Sequence, residues 1–296
     1  MKVSLIDVDG HNFPNFALMK ISAFHKAYGN DVEWYEPLFS KPDVLYASKV
    51  FTFTKDYDYF PSSCDVIKGG TGYDVSSRLP DEIESMKPDY SIYPQYDFAI
   101  GFLTRGCVNN CPWCVVPRKE GKITVVDDIE RIAVRKHVRL MDNNFLASDE
   151  NFIVEQLEKM ILHKYRIDFN QALDCRKVSP MIASLLSKVK WERYIRFSCD
   201  TDSQVEPLSR AIHLLQENGY NREIFVYVLS KDIDNSLYRI NEVEKLGAIP
   251  FCMPYRDLSN SNCKISNDLK RLSNWCNRQA IRKTIDFNNY HTNRRS

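Results

Sequence analysis

One short loop of this 296-residue chain carries three cysteines in a C-x3-C-x2-C spacing, Cys107, Cys111 and Cys114. Iron–sulfur clusters are held by cysteine thiolates, and a [4Fe–4S] cluster normally takes four of them. A compact loop with three thiolates therefore predicts a [4Fe–4S] cluster whose fourth iron is left for another ligand. That open iron is where we expect chemistry to occur.

Zinc binding and disulfide bonding are the main alternative uses of these cysteines. Structural zinc takes four Cys or His ligands, commonly as two separated pairs. The sequence has no second C-x2-C, and the nearest histidine, His137, lies on a predicted strand. Disulfides fit poorly, because nine cysteines are an odd number and too few for a disulfide scaffold of this length. Zinc and a chance cluster of core cysteines stay open as alternatives.

The composition is that of an ordinary globular protein, with 44% hydrophobic residues and a formal net charge of +1. A chain so close to neutral gives no reason to expect a polyanionic partner from bulk charge. Acidic residues follow the first Met within a few positions, which argues against a signal peptide. No apolar run reaches the roughly 18 residues that a membrane span needs. We therefore expect a cytoplasmic protein without membrane contact, in a compartment reducing enough to protect exposed thiolates.

Alternating strands and helices predict an α/β fold in two unequal parts. Residues 1–95 are expected to form a small Rossmann-like domain, residues 96–258 a larger domain of six strand–loop–helix repeats, and residues 259–296 a basic helical extension. The six strands of the larger domain are predicted at residues 98–103, 138–141, 167–170, 194–199, 223–229 and 248–252. In such folds, functional groups gather in the loops after the carboxyl ends of the strands.

The cysteine loop follows Thr104-Arg105-Gly106, carries Trp113 before its last cysteine, and resembles the signature of radical S-adenosylmethionine (SAM) enzymes. The domain order is similar to the branch of that superfamily with an N-terminal cobalamin-binding-like domain. The resemblance implies a partial (β/α)6 barrel in which the amine and carboxylate of SAM chelate the open iron. It also implies an external one-electron reductant of the flavodoxin or ferredoxin type. Reductive cleavage of SAM would then give a 5′-deoxyadenosyl radical that abstracts hydrogen from an unidentified substrate.

The resemblance places the SAM contacts after successive strands of the larger domain. The implied residues are Asp142, Asn143 and Asn144 after the second strand, Gln171, Asp174 and Arg176 after the third, Ser198 and Asp200 after the fourth, Tyr227 in the fifth, and Trp113 against the adenine. Arg176 is suited to hold a carboxylate through two parallel hydrogen bonds. The structural alternatives are an ordinary turn after the second strand, a salt bridge between Asp174 and Arg176, and hydrophobic cover by Trp113.

The N-terminal domain carries only part of the cobalamin-ligand pattern D-x-H-x-x-G. Asp9 and His11 match it, but Pro14 occupies the position of the final glycine. This departure speaks against cobalamin binding. Methyl transfer, which would need cobalamin, is therefore a minor hypothesis, and we expect His11 to order its loop or face substrate.

Two other motifs of this domain favour turns over chemistry. Asp7-Val8-Asp9-Gly10 resembles the nucleophile loop of haloacid-dehalogenase-type phosphatases. However, His11 follows where threonine or valine is usual, and no paired-aspartate magnesium motif is obvious downstream. The run Gly69-Gly70-Thr71-Gly72 could approach a phosphate, yet glycines also simply turn the chain. We expect a turn at both places.

The end of the chain is basic, with eight Lys or Arg residues against Asp268 and Asp286 from residue 264 onward. Such a segment could contact nucleic acid, although no recognisable binding module supports this, and a solvated helix face is the alternative. Two function classes follow from the sequence. The first is a radical SAM enzyme, and the second is a non-catalytic cysteine–metal protein with zinc or a structural iron–sulfur cluster.

Overall fold

The computed structural model describes residues 1–257 and 263–291. They fall into two compact units, Met1–Asp97 and Phe98–Asp257 together with 263–291. Each unit is a mixture of helices and parallel strands, so the predicted α/β class is confirmed at that level. In the described ranges, every helix is too short or too polar to cross a bilayer.

The first unit is a four-stranded parallel sheet with one long helix. Its elements are β1 (Lys2–Asp7), α1 (Phe16–Ala27), β2 (Asp31–Trp34), β3 (Val44–Ser48), β4 (Asp65–Gly69) and α2 (Asp81–Glu84). The strand order is β2-β1-β3-β4, with all three pairings parallel. Helix α1 begins after Asn15, whose side chain accepts a hydrogen bond from the Leu18 N–H. This cap satisfies one of the free N–H groups that every helix start exposes.

The apolar residues of β1 and α1 build the core of this unit. Val3 and Leu5 on β1 pack with Leu18 and Ile21 on α1, and all four are buried. Their removal from water stabilises the unit by about 1.5–3 kcal/mol for each large side chain. The alternation of strands and helices in the sequence therefore correctly predicted a parallel sheet in this unit.

The second unit holds the cysteine loop. Its elements are β5 (Phe98–Gly101), β6 (Thr104–Arg105), α3 (Val116–Lys119), β7 (Thr124–Val125), α4 (Ile129–Ile132), β8 (His137–Leu140), α5 (Glu150–His163), β9 (Arg166–Phe169), α6 (Pro180–Lys188), β10 (Ile195–Ser198), α7 (Val205–Glu217), β11 (Ile224–Ser230), α8 (Ile233–Lys245), β12 (Ile249–Pro254), α9 (Asn267–Cys276) and α10 (Gln279–Arg282). Each of the six expected strands is present within a few residues of its predicted position.

These six strands form two three-stranded parallel sheets, β5-β8-β9 and β10-β11-β12. Between β9 and β10 there are only isolated parallel bridges, such as Leu173 with Phe197, where the Leu173 N–H donates to the Arg196 carbonyl at 2.8 Å. The ladder is interrupted because the chain turns at Ala172, whose φ of 74° is left-handed, before it meets β10. In the part of the chain that the structure describes, the six strands therefore form two separate sheets, and the partial (β/α)6 barrel that the resemblance implied is not seen.

The long helices of the second unit bury apolar faces. On α5 the buried stripe includes Ile153, Leu157 and Met160. Before α7, Ser203 and Glu206 have the spacing of a capping box in the sequence, but they do not form it. Thr201 and Gln204 form that box instead, because a 3-10 turn over Asp202–Gln204 precedes the helix.

Candidate functional site

The cysteine loop begins where β5 ends and is closed at its base by the short antiparallel pair β6 and β7. Gly106 lies between this base and the first cysteine with a φ of 85°. A Cβ atom there would lie 2.3 Å from the Lys122 carbonyl oxygen, so only glycine fits. The Cys107 N–H then donates to the Gly121 carbonyl at 3.2 Å. The loop therefore leaves the sheet in a fixed direction, at the carboxyl end of its strand.

Cys107, Cys111 and Cys114 are free thiols of intermediate burial. Burial raises the pKa of the Cys111 and Cys114 thiols, and negative charge on neighbouring cysteines of the loop raises it further. Three thiolates this close repel one another, so a positive charge is needed to deprotonate all of them together.

Backbone groups of the loop already point at two of the sulfurs. The Asn109 N–H donates to Cys107 Sγ at 3.3 Å, and the Val116 N–H donates to Cys114 Sγ at 3.4 Å. Hydrogen bonds of this kind are among the factors that tune iron–sulfur clusters. An all-sulfur donor set with N–H groups aimed at it therefore fits a cluster chemically.

No group of three or more Cys, His, Asp or Glu side chains converges on a position for a single metal ion within residues 1–257 and 263–291. A single ion and a cluster make different demands on their ligands. Around zinc, each sulfur must lie about 2.3 Å from one centre, whereas in a [4Fe–4S] cluster each thiolate binds its own iron. Three thiolates on one loop therefore match the donor type that a cluster needs, with one thiolate for each of three irons.

Asp142, which the resemblance implied as a SAM contact, holds the strand from which the loop emerges. It is 2% exposed, and its Oδ1 accepts from the Thr104 N–H at 2.6 Å and from Thr104 Oγ1 at 2.7 Å. Its Oδ2 accepts from the Leu103 N–H at 3.1 Å. Burial raises the pKa of this carboxyl to about 6, although the bonds from Thr104 and Leu103 act against that rise. The carboxylate is thus occupied by the base of the loop.

Asn143 and Asn144 continue this attachment along the loop. Asn143 Oδ1 accepts from the Gly106 N–H at 3.0 Å. Asn144 Nδ2 donates to Cys107 Sγ at 3.4 Å and to Asp174 Oδ2 at 3.1 Å. Asn144 is 4% exposed, and its Oδ1 is a buried acceptor without a hydrogen-bond partner among the described residues. Three consecutive residues after β8 therefore bind three successive parts of the cysteine loop.

Asp174 and Arg176, after β9, form the salt bridge that was the structural alternative. Arg176 Nε and Nη2 each donate to Asp174 at 2.8 Å. Burial works to raise the pKa of the Asp174 carboxyl, but Arg176 and the Asn144 amide outweigh it and hold that pKa below its usual range. Arg176 is exposed and carries its charge close to Cys111. Gln171, expected beside them, is exposed at the end of β9.

Asp200, after β10, also belongs to the neighbourhood of the loop. Its Oδ1 accepts from the Leu229 N–H at 3.2 Å. Burial raises the pKa of this carboxyl, against the opposing charges of Arg239 and Arg176. Its charge in turn raises the pKa of the Cys114 thiol. Ser198, the last residue of β10, is half-buried, and its carbonyl faces the Cys175 thiol at 3.7 Å.

Trp113 packs against a cation that the sequence did not single out. The Lys231 Nζ lies 4.1 Å from the centre of the Trp113 ring and 4.8 Å from that of Tyr255. Lys231 follows β11 and Tyr255 follows β12, so the loop spans from β5 to the last two strands. A cation held over aromatic faces typically contributes about 0.5–1 kcal/mol at exposed sites. The signal for Lys231 was its position directly after a predicted strand.

Tyr227 lies on β11, the central strand of the second sheet, away from the cysteine loop. Its hydroxyl accepts from Arg196 Nη1 at 3.0 Å, and Arg196 is held by Asp168 through contacts of 2.6 and 2.9 Å. Phe225, Tyr227 and Arg196 line a cavity of about 400 Å³. Because Tyr227 precedes Lys231 by four strand residues, it lies about 13 Å further down the strand. The polar pair of Asp168 and Arg196 was not found from the sequence, since neither follows a strand end.

Among the other cysteines of this unit, Cys263 is only partly buried, whereas Cys175, Cys199, Cys252 and Cys276 are buried packing residues. Burial raises the pKa of the Cys252 thiol to about 11 and those of the other three to about 12. A protonated buried thiol behaves as a small apolar side chain.

In the first unit, both candidate motifs act as structural turns. Asp9 Oδ1 accepts from the Phe51 N–H at 3.3 Å, which ties the loop after β1 to the loop after β3. Asp7 is buried against the Tyr93 hydroxyl at 2.7 Å, and burial raises the pKa of its carboxyl to about 6. Gly70 has a φ of 95°, and a Cβ there would meet the Lys49 carbonyl oxygen at 2.4 Å. The glycines thus allow close backbone packing.

His11 orders its own part of the first unit. Its ring meets Trp34 edge-on, with 4.4 Å between centroids, and its carbonyl accepts from the Tyr96 hydroxyl. This matches one of the two roles expected for His11, that of ordering its loop.

Part of the basic C-terminal segment is used inside the fold. Arg282 is 7% exposed and bonds Glu244 at 2.7 Å, and Arg271 Nη1 donates to the Tyr290 carbonyl at 3.1 Å. Lys264, Lys270, Arg278 and Lys283 are exposed. Arg294 and Arg295 lie outside the described residues. The exposed basic surface is therefore smaller than the sequence suggests.

Comparison with known proteins gives no relative for this chain: no family model matches it, and no curated protein does.

Proposed function

We propose that this protein is a radical SAM enzyme in which Cys107, Cys111 and Cys114 hold a [4Fe–4S] cluster. The observation that carries the proposal is the placement of three free thiols in one rigid loop after the carboxyl end of the first strand of a parallel sheet. With the cluster and SAM bound, the site would supply reductive cleavage of SAM and a 5′-deoxyadenosyl radical for hydrogen abstraction.

The side chains around the loop support a site for the amino-acid part of SAM. Asn144 Oδ1 is a buried acceptor without a described partner, and the Asp174 carboxylate lies beside the Asn144 amide. A buried polar atom without a hydrogen bond is costly, so it indicates a donor that the ligand would bring. We assign the ammonium group of SAM to the Asn144 oxygen, with the negative charge of the Asp174 carboxylate beside it. Arg176 Nε and Nη2 are held by Asp174, so the remaining N–H groups of Arg176 would face the SAM carboxylate.

Asp142 and Asn143 have roles in this proposal that differ from the SAM contacts that the resemblance implied. Asp142 and Asn143 are occupied by backbone N–H groups of the loop, so they hold the loop in place. Trp113 and Lys231 cover the side of the loop nearest β11 and would exclude water from the cluster. The two three-stranded sheets would together form the open (β/α)6 partial barrel of the superfamily.

The proposal requires an external one-electron reductant and a reducing compartment such as the cytoplasm. The substrate stays unidentified, because substrate contacts come from loops that vary between enzymes of one fold. The departure at Pro14 gives no support to cobalamin, so we propose no methyl transfer. Contact with nucleic acid through the exposed basic residues of the C-terminal segment stays a hypothesis.

The test is SAM cleavage by the anaerobically reconstituted full chain with dithionite as reductant. We expect release of 5′-deoxyadenosine and methionine, loss of that release in Cys111→Ala, and its retention in Cys64→Ala. Cys64 is a matched control because it is a partly buried free thiol in the first unit. Absence of 5′-deoxyadenosine from wild-type protein that holds a full cluster would leave the alternative, a non-catalytic metal-binding protein.

A further inference from the structure

Cys107 is the one loop thiol that receives a hydrogen bond from a side chain among the described residues. The Asn144 Nδ2 group donates to its Sγ at 3.4 Å, in addition to the Asn109 N–H at 3.3 Å. Cys114 receives a bond from the backbone of Val116. Every residue except proline keeps its backbone N–H, so these backbone bonds hardly depend on the side chain. Asn144 is therefore the side chain through which a substitution can change the hydrogen bonding of a loop sulfur.

The orientation of the Asn144 amide follows from its neighbours. Cys107 Sγ and Asp174 Oδ2 are both acceptors, so the nitrogen must face them and its two hydrogens are both used. Asp174 is fixed in turn by Arg176 and by the Asn109 side chain, whose Nδ2 donates at 3.3 Å. Asn144 is 4% exposed, so water does not compete for these bonds. The donor is therefore preorganised rather than adaptable.

We propose that Asn144 is a positioning residue that raises the reduction potential of the cluster through its hydrogen bond to Cys107 Sγ. This inference rests on the proposed function. An N–H donor stabilises negative charge on sulfur, and the reduced cluster carries one more negative charge than the oxidised one. The bond is therefore stronger in the reduced state, which makes the cluster easier to reduce. The low dielectric around a buried group enlarges this difference.

The same contact links the cluster to the SAM site. The Asn144 nitrogen would donate to the Cys107 sulfur, and the Asn144 oxygen would accept from the ammonium group of SAM. One amide would therefore contact both the cluster ligand and SAM. The chain from Arg176 through Asp174 and Asn144 to Cys107 is continuous, with contacts of 2.8, 3.1 and 3.4 Å. An ammonium group on the Asn144 oxygen would polarise the amide and strengthen its donation to sulfur. We therefore expect SAM to raise the potential more in wild type than in variants lacking the amide.

The experiment is a potentiometric titration of the reconstituted full chain, followed by electron paramagnetic resonance, for wild type, Asn144→Ala and Asn144→Asp. At a fixed potential we expect the ratio of reduced to oxidised cluster to fall about tenfold in Asn144→Ala, which is a shift of about 59 mV for one electron. Asn144→Asp should fall at least as far, since it replaces the donor by an acceptor. Asn221→Ala, an exposed asparagine before β11, is the control and should match wild type.

The experiment distinguishes a failure of this inference from a failure of the proposed function. A wild-type protein that assembles no cluster contradicts the proposed function itself. A wild type that holds its cluster and cleaves SAM, beside an Asn144→Ala protein with an unchanged potential, overturns only the role of Asn144. Folded Asn144 variants that both fail to hold a cluster also overturn it, because Asn144 would then serve cluster assembly and not its potential.

Discussion

Asp142 and Thr104 are joined by two hydrogen bonds to one carboxylate oxygen, from the Thr104 N–H at 2.6 Å and from its hydroxyl at 2.7 Å. The pair connects the end of β8 to the first residue of β6, three residues before Cys107. Because both partners are buried, the geometry of the loop base is set by this contact and by the adjacent bond from Leu103.

Asp142→Asn should destabilise the second unit by about 2 kcal/mol at neutral pH. The asparagine keeps one acceptor, but its NH2 group would face the Leu103 N–H or the Thr104 N–H, and two donors cannot bond. The measurement is urea unfolding followed by tryptophan fluorescence, with Asp58→Asn as control. Asp58 belongs to an exposed ion pair with Lys55, so its substitution should change the free energy of unfolding by less than about 0.5 kcal/mol.

The raised pKa of Asp142 predicts a specific pH dependence of stability. Its pKa is about 6 in the folded protein against an ordinary 3.8, so the folded state binds the proton more tightly than the unfolded state. The contribution of Asp142 to the free energy of unfolding is therefore fully present below pH 3.8. It falls by up to about 3 kcal/mol as the pH rises to about 6 and above. The difference in unfolding free energy between wild type and Asp142→Asn should therefore shrink from pH 4 to pH 7.5. A difference that grows over this range would contradict the burial of an ionisable carboxyl here.

Ala172 should tolerate glycine but not a branched residue. Its φ of 74° is left-handed, and its side chain is buried at the turn that interrupts the ladder between β9 and β10. Ala172→Val should cost more than about 2 kcal/mol, because a β-branched residue is strained in this region, while Ala172→Gly should stay within about 1 kcal/mol of wild type. The check is thermal unfolding of both variants. Equal melting temperatures for valine and wild type would show that the turn is not left-handed.

Lys231→Met should loosen the cysteine loop without unfolding the unit. Methionine keeps the apolar stem but removes the charge held over Trp113 and Tyr255, a loss of about 0.5–1 kcal/mol. In cluster-free protein we expect iodoacetamide to label Cys114 about two- to fivefold faster, as measured by peptide mass spectrometry. Lys245→Met removes an exposed lysine that pairs with Glu242 on α8, and its labelling rate should equal that of wild type.

The sequence was sufficient to predict the α/β class and the six strands of the second unit, because apolar runs between turn residues mark buried strands directly. Asp149 likewise precedes α5 and caps it, as its residue type suggests. The division into two sheets could not be predicted, since it depends on the left-handed turn at Ala172, a residue that rarely adopts that conformation.

The sequence singled out residues that lie near the cysteine loop, but it could not predict their contacts. Asp142, Asn143 and Asn144 do lie against the cysteine loop, yet spacing alone cannot tell which atoms bind backbone and which face a ligand. Lys231 was overlooked because a single lysine after a strand is common on protein surfaces. Tyr227 does lie on the fifth strand, but the distance along the strand separates it from the loop.

The most direct test of the central claim is metal and sulfide analysis of protein purified and reconstituted without oxygen, beside Cys107→Ala, Cys111→Ala and Cys114→Ala. We predict about four iron and four sulfide per wild-type chain, with a brown chromophore that each substitution removes. One zinc per chain without sulfide, retained after anaerobic reconstitution with iron and sulfide, would contradict the account.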